Sequence, residues 1–440
     1  MNKEREIIKG LRWSVAAGAF NSIFCLLTVF GSIFLLFLSE LSIPKYKIGI
    51  LLSFLPFFGI IAPFLSSYVD YFGSKRTFLI CFGIRKFVIV SLLLLPLIIE
   101  KYGIKTGINF VTFVILLFAF LRAFGETGYY AWTKEFIPDE LRGKYTAIFN
   151  IIFNLTGILA VSFGSYIVGK GEGIEKYLFL IGIAFIFGIL SVYFMSFVPF
   201  GEPKREKPDI NLKKILIPLQ DKNFLYFLFA CGIALFGSSL MSFVPIFLKE
   251  KLNFIPRTII FLDNASILGS ILMGFIWGYL GDRFGGRPVV ILSLCLYILV
   301  PFFWLVLPRD IPSIFNFAFL LYFLSGGTLL GRSVGDSRFL YAGILTNVNV
   351  IYYTSIYYAW IGIFQGFSPV FAGYILEKFK NLGILIFNRT FDIYNIIFLI
   401  NLLCQISAII IYRKVKPDKD VKTRELFLKM RRRFFDLYKY

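Results

Sequence analysis

Twelve apolar runs dominate this chain, and each is about as long as a helix must be to cross a bilayer. A hydrocarbon core about 30 Å thick takes about 20 helical residues. Runs of that length occupy Trp13–Leu38, Ile48–Val69, Thr77–Ile99, Phe110–Ala131, Tyr145–Val168 and Tyr177–Val198. They resume at Phe224–Leu248, Thr258–Gly281, Val289–Leu307, Ile314–Gly335, Val350–Leu376 and Ile393–Tyr412. The break, Phe200–Asn223, holds three prolines (Pro203, Pro208, Pro218) and six Lys or Arg. Inside lipid no water can satisfy backbone N–H and C=O groups, so such runs fold as helices. The expected fold is an all-α polytopic membrane protein of twelve transmembrane helices, arranged as two six-helix pseudo-repeats. The expected parts are a first bundle over 1–199, a central cytoplasmic loop over 200–223, a second bundle over 224–412 and a basic tail over 413–440.

Composition excludes a soluble reading. Only 16% of the residues are charged and 58% are hydrophobic, where soluble chains carry about 25% charged residues. So few charges cannot cover a water-facing surface. The chain has no histidine, which removes Ser-His-Asp triads and His-ligated zinc. Cys25, Cys81, Cys231, Cys295 and Cys404 all fall in apolar runs without a CxxC pair, and read as small buried apolar residues. The first run is too long for a signal peptide and is read as a retained helix. No cofactor and no metal is expected.

Orientation follows from Lys and Arg, which are enriched in cytoplasmic loops. With both termini cytoplasmic, 29 of the 46 lie inside, 13 lie outside, and Arg85, Lys86, Arg122 and Arg332 lie within runs. The expectation is a plasma (inner) membrane protein. Its +20 charge is spread over loops and tail, where the partner is the lipid bilayer and not nucleic acid. In the tail, Leu426, Phe427, Met430, Phe434 and Leu437 fall at helical spacing beside Arg431, Arg432 and Arg433. An amphipathic helix on an anionic leaflet and a solvated basic tail are both open there.

The two halves repeat. Asp70 in DYFGSKR matches Asp282 in DRFGGRP, Arg122 in RAFGE matches Arg332 in RSVGD, and FGSYI ending at Ile167 matches FAGYI ending at Ile375. Each match holds the same place in its half. Six spans separate the copies, so the repeats are parallel, an arrangement that sets a cavity between two bundles able to rock.

On these residues the sequence resembles the major facilitator superfamily, whose loop after the second and eighth helices reads roughly G-x-L-x-D-R-x-G-R-[RK]. Gly278, Leu280, Asp282, Arg283, Gly285 and Arg287 match the second copy, and only Gly286 departs. In the first copy Asp70, Gly73 and Lys75 match, while Ser66 and Tyr71 depart. Ile137–Gly143 (IPDELRG) also resembles that family's loop after helix 4. The resemblance implies a secondary transporter, with Asp70, Gly73, Lys75, Gly278, Asp282, Arg283, Gly285 and Arg287 as a gating latch. The glycine after the aspartate suits a turn with positive φ, and the carboxylate can meet cations or a helix N-terminus.

Ionisable residues within a span cost at least about 2.5–3.5 kcal/mol at a helix centre and are functional candidates for that reason. Arg122 with Glu126, and Arg332 with Asp336, are four apart and share a helix face. Each pair is a candidate for proton coupling, or a self-neutralising structural ion pair. The family's R-x-x-x-G motif on helix 4 resembles Arg122 and Gly128 in extended form, with Glu126 at the family's glycine. Asp263 is a third coupling candidate, and its competing reading is a cap on a helix that starts later. Arg85 and Lys86 are expected to snorkel to the cytoplasmic interface.

Candidate cavity residues are Asn21, Asn150, Asn154, Asn264, Trp360 and Gln365, with Tyr352, Tyr353, Tyr357 and Tyr358 nearby. The drug-antiporter proline motif on helix 5 and the sugar-porter signatures PESPR and PETKG are absent, as is G-x-x-x-x-G-K-[ST]. The expectation is a monomeric, non-enzymatic transporter of an unidentified small molecule, coupled to a proton. A sensor on a transporter scaffold, and an enzyme acting on lipid-linked substrates, are the alternatives.

Overall fold

The computed structural model of the chain describes residues 2–203, 216–308, 312–340, 350–386 and 389–417. The tail over 426–437 and most of the central loop lie outside them. The helices in chain order are α1 (Ile7–Glu40), α2 (45–72), α3 (Ser74–Tyr102), α4 (Ile104–Phe136), α5 (Asp139–Lys170) and α6 (Glu175–Ser196). The second set is α7 (Lys222–Lys251), α8 (Pro256–Phe284), α9 (Gly286–Val306), α10 (Ile314–Arg338), α11 (Val350–Lys378) and α12 (Ile393–Tyr412). Among the described residues, eleven of these contain a stretch long and apolar enough to cross a membrane. The remaining one, α2, is helical in pieces: Lys45–Phe57, a 3-10 turn over Phe58–Ile61, then Ala62–Phe72. Pro56 and Pro63 lack an N–H for the helical ladder, and the tighter turn falls between them.

A second break divides α1. The helix ends at Thr28 and restarts at Gly31. The Val29 and Phe30 N–H groups both turn back to the Cys25 carbonyl, and Gly31 sits at φ +76°, a region that L side chains avoid. The half-helix Gly31–Glu40 therefore begins inside the span and presents backbone N–H groups with no partner of their own. Between α11 and α12 the chain adds an antiparallel hairpin that the sequence did not signal. Its strands are β1 (Gly383–Ile386) and β2 (Arg389–Asp392). Asp392 then closes a capping box with Asn395 at the start of α12.

Three helix pairings recur in each half. α1 packs on α6 and α3 packs on α4 and α6; correspondingly, α7 packs on α12 and α9 packs on α10 and α12. Small residues allow close approach in a setting where lipid supplies no hydrophobic drive between helices. A Cβ on Gly326 of α10 would strike the Ser266 carbonyl of α8, and one on Gly269 of α8 would strike the Phe323 carbonyl of α10. Large apolar side chains such as Leu97, Phe113, Leu159 and Phe275 stand exposed on outer faces, which suits lipid and not water. The molecule is an all-α polytopic membrane protein.

The chain forms two compact units. One comprises residues 1–210, 242–264 and 365–381, and the other comprises 211–241, 265–364 and 382–440. Parts of α7, α8 and α11 thus belong with the first half of the sequence.

Candidate functional site

The repeated loops are built alike. Gly73 and Gly285 both have positive φ, +91° and +88°, so each loop needs glycine where the chain turns into α3 or α9. Lys75 and Arg287, 212 residues apart like Asp70 and Asp282, do the same work in each copy. Lys75 Nζ donates to the Val198 carbonyl just past α6 (2.7 Å), and Arg287 Nη2 donates to the Arg413 carbonyl just past α12 (2.6 Å). Each cation meets the carbonyl-rich, partially negative end of the last helix in its half. Around Lys75 the chain after α6 is further tied down: Trp132 Nε1 donates to the Pro199 carbonyl (2.8 Å), and the Gly201 N–H donates to Glu135 (3.0 Å).

The aspartate of the second loop takes a different partner. Asp282 accepts from Arg338 Nη1 in the last turn of α10, and its side chain is 83% exposed. Arg283 donates to the Tyr279 hydroxyl one turn back (2.8 Å). A Cβ on Gly278 would meet nothing. The side chain of Asp70 lies outside the described residues, as do those of Asp139, Glu140 and Arg142 in the loop after α4.

The two intramembrane pairs form but differ in setting. Arg122 Nε donates to Glu126 Oε1 at 2.7 Å, both side chains are partly exposed, and the guanidinium lies over the Phe30 ring at 5.1 Å. Arg332 and Asp336 are buried. Asp336 accepts from Arg332 (3.4 Å), from the Tyr412 hydroxyl (2.6 Å) and from the Cys231 thiol (3.5 Å). The sequence reads Cys231 only as a small buried apolar residue and gives Tyr412 no role, since an isolated Tyr or Cys in an apolar run carries no local signal.

Asp263 does not cap its own helix. α8 starts at Pro256, so Asp263 is about two turns inside it. Its carboxylate accepts from the Ser32 backbone N–H and the Ser32 hydroxyl, both at 2.8 Å. It therefore caps the restart of α1, a different helix 231 residues away in sequence. The same end of that unit carries Lys45 with Glu250 (2.6 Å), Lys249 with Glu40 (3.4 Å), and the Lys45 N–H on Glu377 (3.0 Å). These contacts bring residues of α7, α8 and α11 to α1 and α2.

Arg85 and Lys86 do not snorkel. They are 1% and 0% exposed and turn inward to one acceptor, the Asn21 amide oxygen on α1, at 3.2 and 2.8 Å. The Arg85 guanidinium lies 3.4 Å from the Phe82 ring centre and 5.3 Å from that of Phe118, and Lys86 Nζ lies 3.4 Å from that of Phe24. Aromatic faces offset part of the cost of burying a cation. Among the described residues no carboxylate forms an ion pair with either. Snorkelling fails because both side chains turn toward α1, with Arg85 against Phe118 of α4 and the Lys86 stem against Gly188 of α6.

The remaining cavity candidates scatter. Asn150 is exposed and Asn154 is half-buried. Asn264 is buried and donates to Ser162 (3.0 Å). Trp360 packs between Phe229 and Phe364, and Gln365 is half-buried. Tyr357 is core, stacked on Phe227, Tyr353 is half-buried and Tyr358 exposed. The Tyr352 side chain lies outside the described residues. Sequence reading missed Asn401 and Gln405, both buried in α12, where Gln405 donates to Asn401 (2.8 Å) and to the Ala234 carbonyl (3.1 Å). Among the described residues no cluster of acids and cysteines could hold a metal ion.

Similarity to known proteins agrees with this architecture. No curated protein sequence matches the chain. The crystal structure of the nucleoside transporter NupG superposes with a TM-score of 0.65 at 14% identity, covering 93% of this chain and 98% of that one. A point mutant of NupG gives 0.66 at 15% identity, covering 93% and 99%. A bacterial homolog of the human lysosomal transporter Spinster, in an inward-facing and unoccupied conformation, gives 0.58 at 11% identity, covering 94% and 95%. The family model described as Major Facilitator Superfamily matches residues 15–254 and again residues 224–435. With its repeated loops and paired bundles, the chain belongs to the major facilitator superfamily of membrane transporters.

Proposed function

We propose that the chain is a secondary active transporter that moves a small solute by alternating access, coupled to protons. It works as a monomer in the plasma (inner) membrane with both termini in the cytoplasm. The observation that carries this reading is the tie between Asp263 and Ser32. A carboxylate from the second repeat holds the N-terminus of a broken helix of the first, inside the span, where a charge has few other partners. The charged carboxylate sits at the positive end of that helix and accepts from two donors. Protonation cancels that charge and weakens the tie, which is the link between proton binding and gate opening that coupling requires. The ion pairs of Lys45 with Glu250 and Lys249 with Glu40 close the same gate. Asp282 with Arg338, and Lys75 and Arg287 on their helix ends, form the latch at the loops.

Asp263 thereby ranks above Glu126, whose pair with Arg122 lies within one helix and is partly exposed. Glu126 and Asp336 are the reserves. NupG is a nucleoside transporter, but identity at this level concerns the fold and leaves the solute open. The test is uptake into proteoliposomes, using solutes that stabilise the purified protein in a thermal-shift screen. The wild type should concentrate its solute along an imposed pH gradient. Asp263→Asn should lose this accumulation yet keep exchange across the membrane, and Glu126→Gln should keep both. Accumulation by Asp263→Asn at the wild-type level would remove it from coupling. Loss of accumulation with retained exchange in Glu126→Gln alone would return the role to Glu126.

A further inference from the structure

Arg85 and Lys86 share one acceptor, and Arg85 rests on Phe118, one helical turn before Arg122 on α4. Arg122 pairs with Glu126, whereas among the described residues neither Arg85 nor Lys86 has an ion pair. In the second repeat the matching pair is Arg332 with Asp336. The loop offset of 212 places Tyr297 and Ile298 where the first repeat has Arg85 and Lys86. The pairings of α3 with α4 and α6 recur as those of α9 with α10 and α12, so this packing does not need two cations at that place in α3. One polar atom there is also unanswered: Arg85 Nε is buried without a hydrogen-bond partner.

We propose that Asn21, Arg85 and Lys86, with Arg122 beside them, form a binding site for an anionic group, and that the transported solute is an organic anion carrying a phosphate or carboxylate. This inference rests on the transport reading above. The Asn21 amide oxygen holds the place of the anion in the empty protein, as one neutral acceptor shared by two cations. An arriving anionic oxygen replaces it, supplies the missing negative charge and can also take the free Nε–H. Hydrogen bonds between ionised partners are about twice as strong as neutral ones. Asn21 is half-buried, and Arg122 and Glu126 are partly exposed, so polar groups next to the buried cations are open for an anion to reach first. Glu126 competes for Arg122 and is displaced from it as the anion binds. The rings of Phe24, Phe82 and Phe118 hold the cations in the meantime.

The test uses the full-length protein in a non-ionic detergent and matched pairs of probes at millimolar concentration: UMP against uridine, glucose 6-phosphate against glucose, and succinate against succinamide. At least one anion should raise the melting temperature by several degrees while its neutral partner leaves it unchanged. Lys86→Ile, which copies the residue of the second repeat, should fold with unchanged or higher melting temperature and lose the response. Lys86→Arg should keep it. Three results each overturn the proposal: no anion stabilises the wild type, anion and neutral partner stabilise it equally, or the response survives Lys86→Ile. The wild-type panel decides the matter even if Lys86→Ile does not fold. A neutral solute accumulated by wild-type proteoliposomes would sink the anion site and leave the transport reading intact. Absence of any gradient-driven uptake, with anion binding retained, would sink the transport reading instead.

Discussion

At the residue scale, the two charges of the second loop separate stability from turnover. Asp282 is largely exposed, and an exposed ion pair contributes at most about 1 kcal/mol. Asp282→Asn should therefore leave the melting temperature almost unchanged while transport slows severalfold; wild-type turnover would end its role as a latch. Lys75 and Arg287 are different, because each binds a helix-end carbonyl. Lys75→Met or Arg287→Met should each cost about 1 kcal/mol, read as a lowered melting temperature, and the effect should be alike in the two repeats. The identity of these residues was legible in the sequence, and their partners were not. Val198 and Arg413 offer only backbone oxygens, which any residue could supply, so no pattern marks them. The same applies to Asp263: its place in an apolar run was visible, but Ser32 is 231 residues away and carries no charge to advertise the pairing. Arg85 and Lys86 fail for another reason. In a helix that is apolar all round, the sequence gives depth along the axis but not which face turns inward.

At the element scale, the apolar runs specify where helices cross but not where they break. The break in α1 has a local signal that could have been read, Gly31-Ser32, although Gly18 and Asn21-Ser22 interrupt the same apolar run without breaking it. Gly31→Ala tests whether this break is required. An alanine there must adopt φ +76°, at a cost of about 1–2 kcal/mol, and its Cβ would stand 2.9 Å from the Asp263 carboxylate. The variant should melt at lower temperature and loosen the tie between Asp263 and Ser32. An unchanged melting temperature and unchanged pH-driven transport would mean that the break plays no part in the gate. The break in α2 was legible in the same way, through Pro56 and Pro63, whereas the hairpin of β1 and β2 was not. Its residues read as an ordinary loop, and its pairing depends on where α11 and α12 end.

At the scale of the whole molecule, the repeats of the sequence and the compact units of the structure do not coincide. Residues 242–264 and 365–381 are second-repeat segments that cluster with the first half, held there by Asp263 on Ser32 and Glu250 on Lys45. Under the proposed proton-coupled alternating access those contacts are reversible, and protonation of Asp263 favours their release. This can be measured without knowing the solute. Spin labels at Tyr46→Cys and Ile255→Cys, both exposed, go into a background freed of the five native cysteines, with Cys231→Ser retaining a donor to Asp336. Pulsed electron–electron distances between them, in reconstituted protein, should show a short and a long population. The long population should grow as the pH falls and should dominate at every pH in Asp263→Asn. A single distance distribution, indifferent to pH and to Asp263→Asn, would contradict the account.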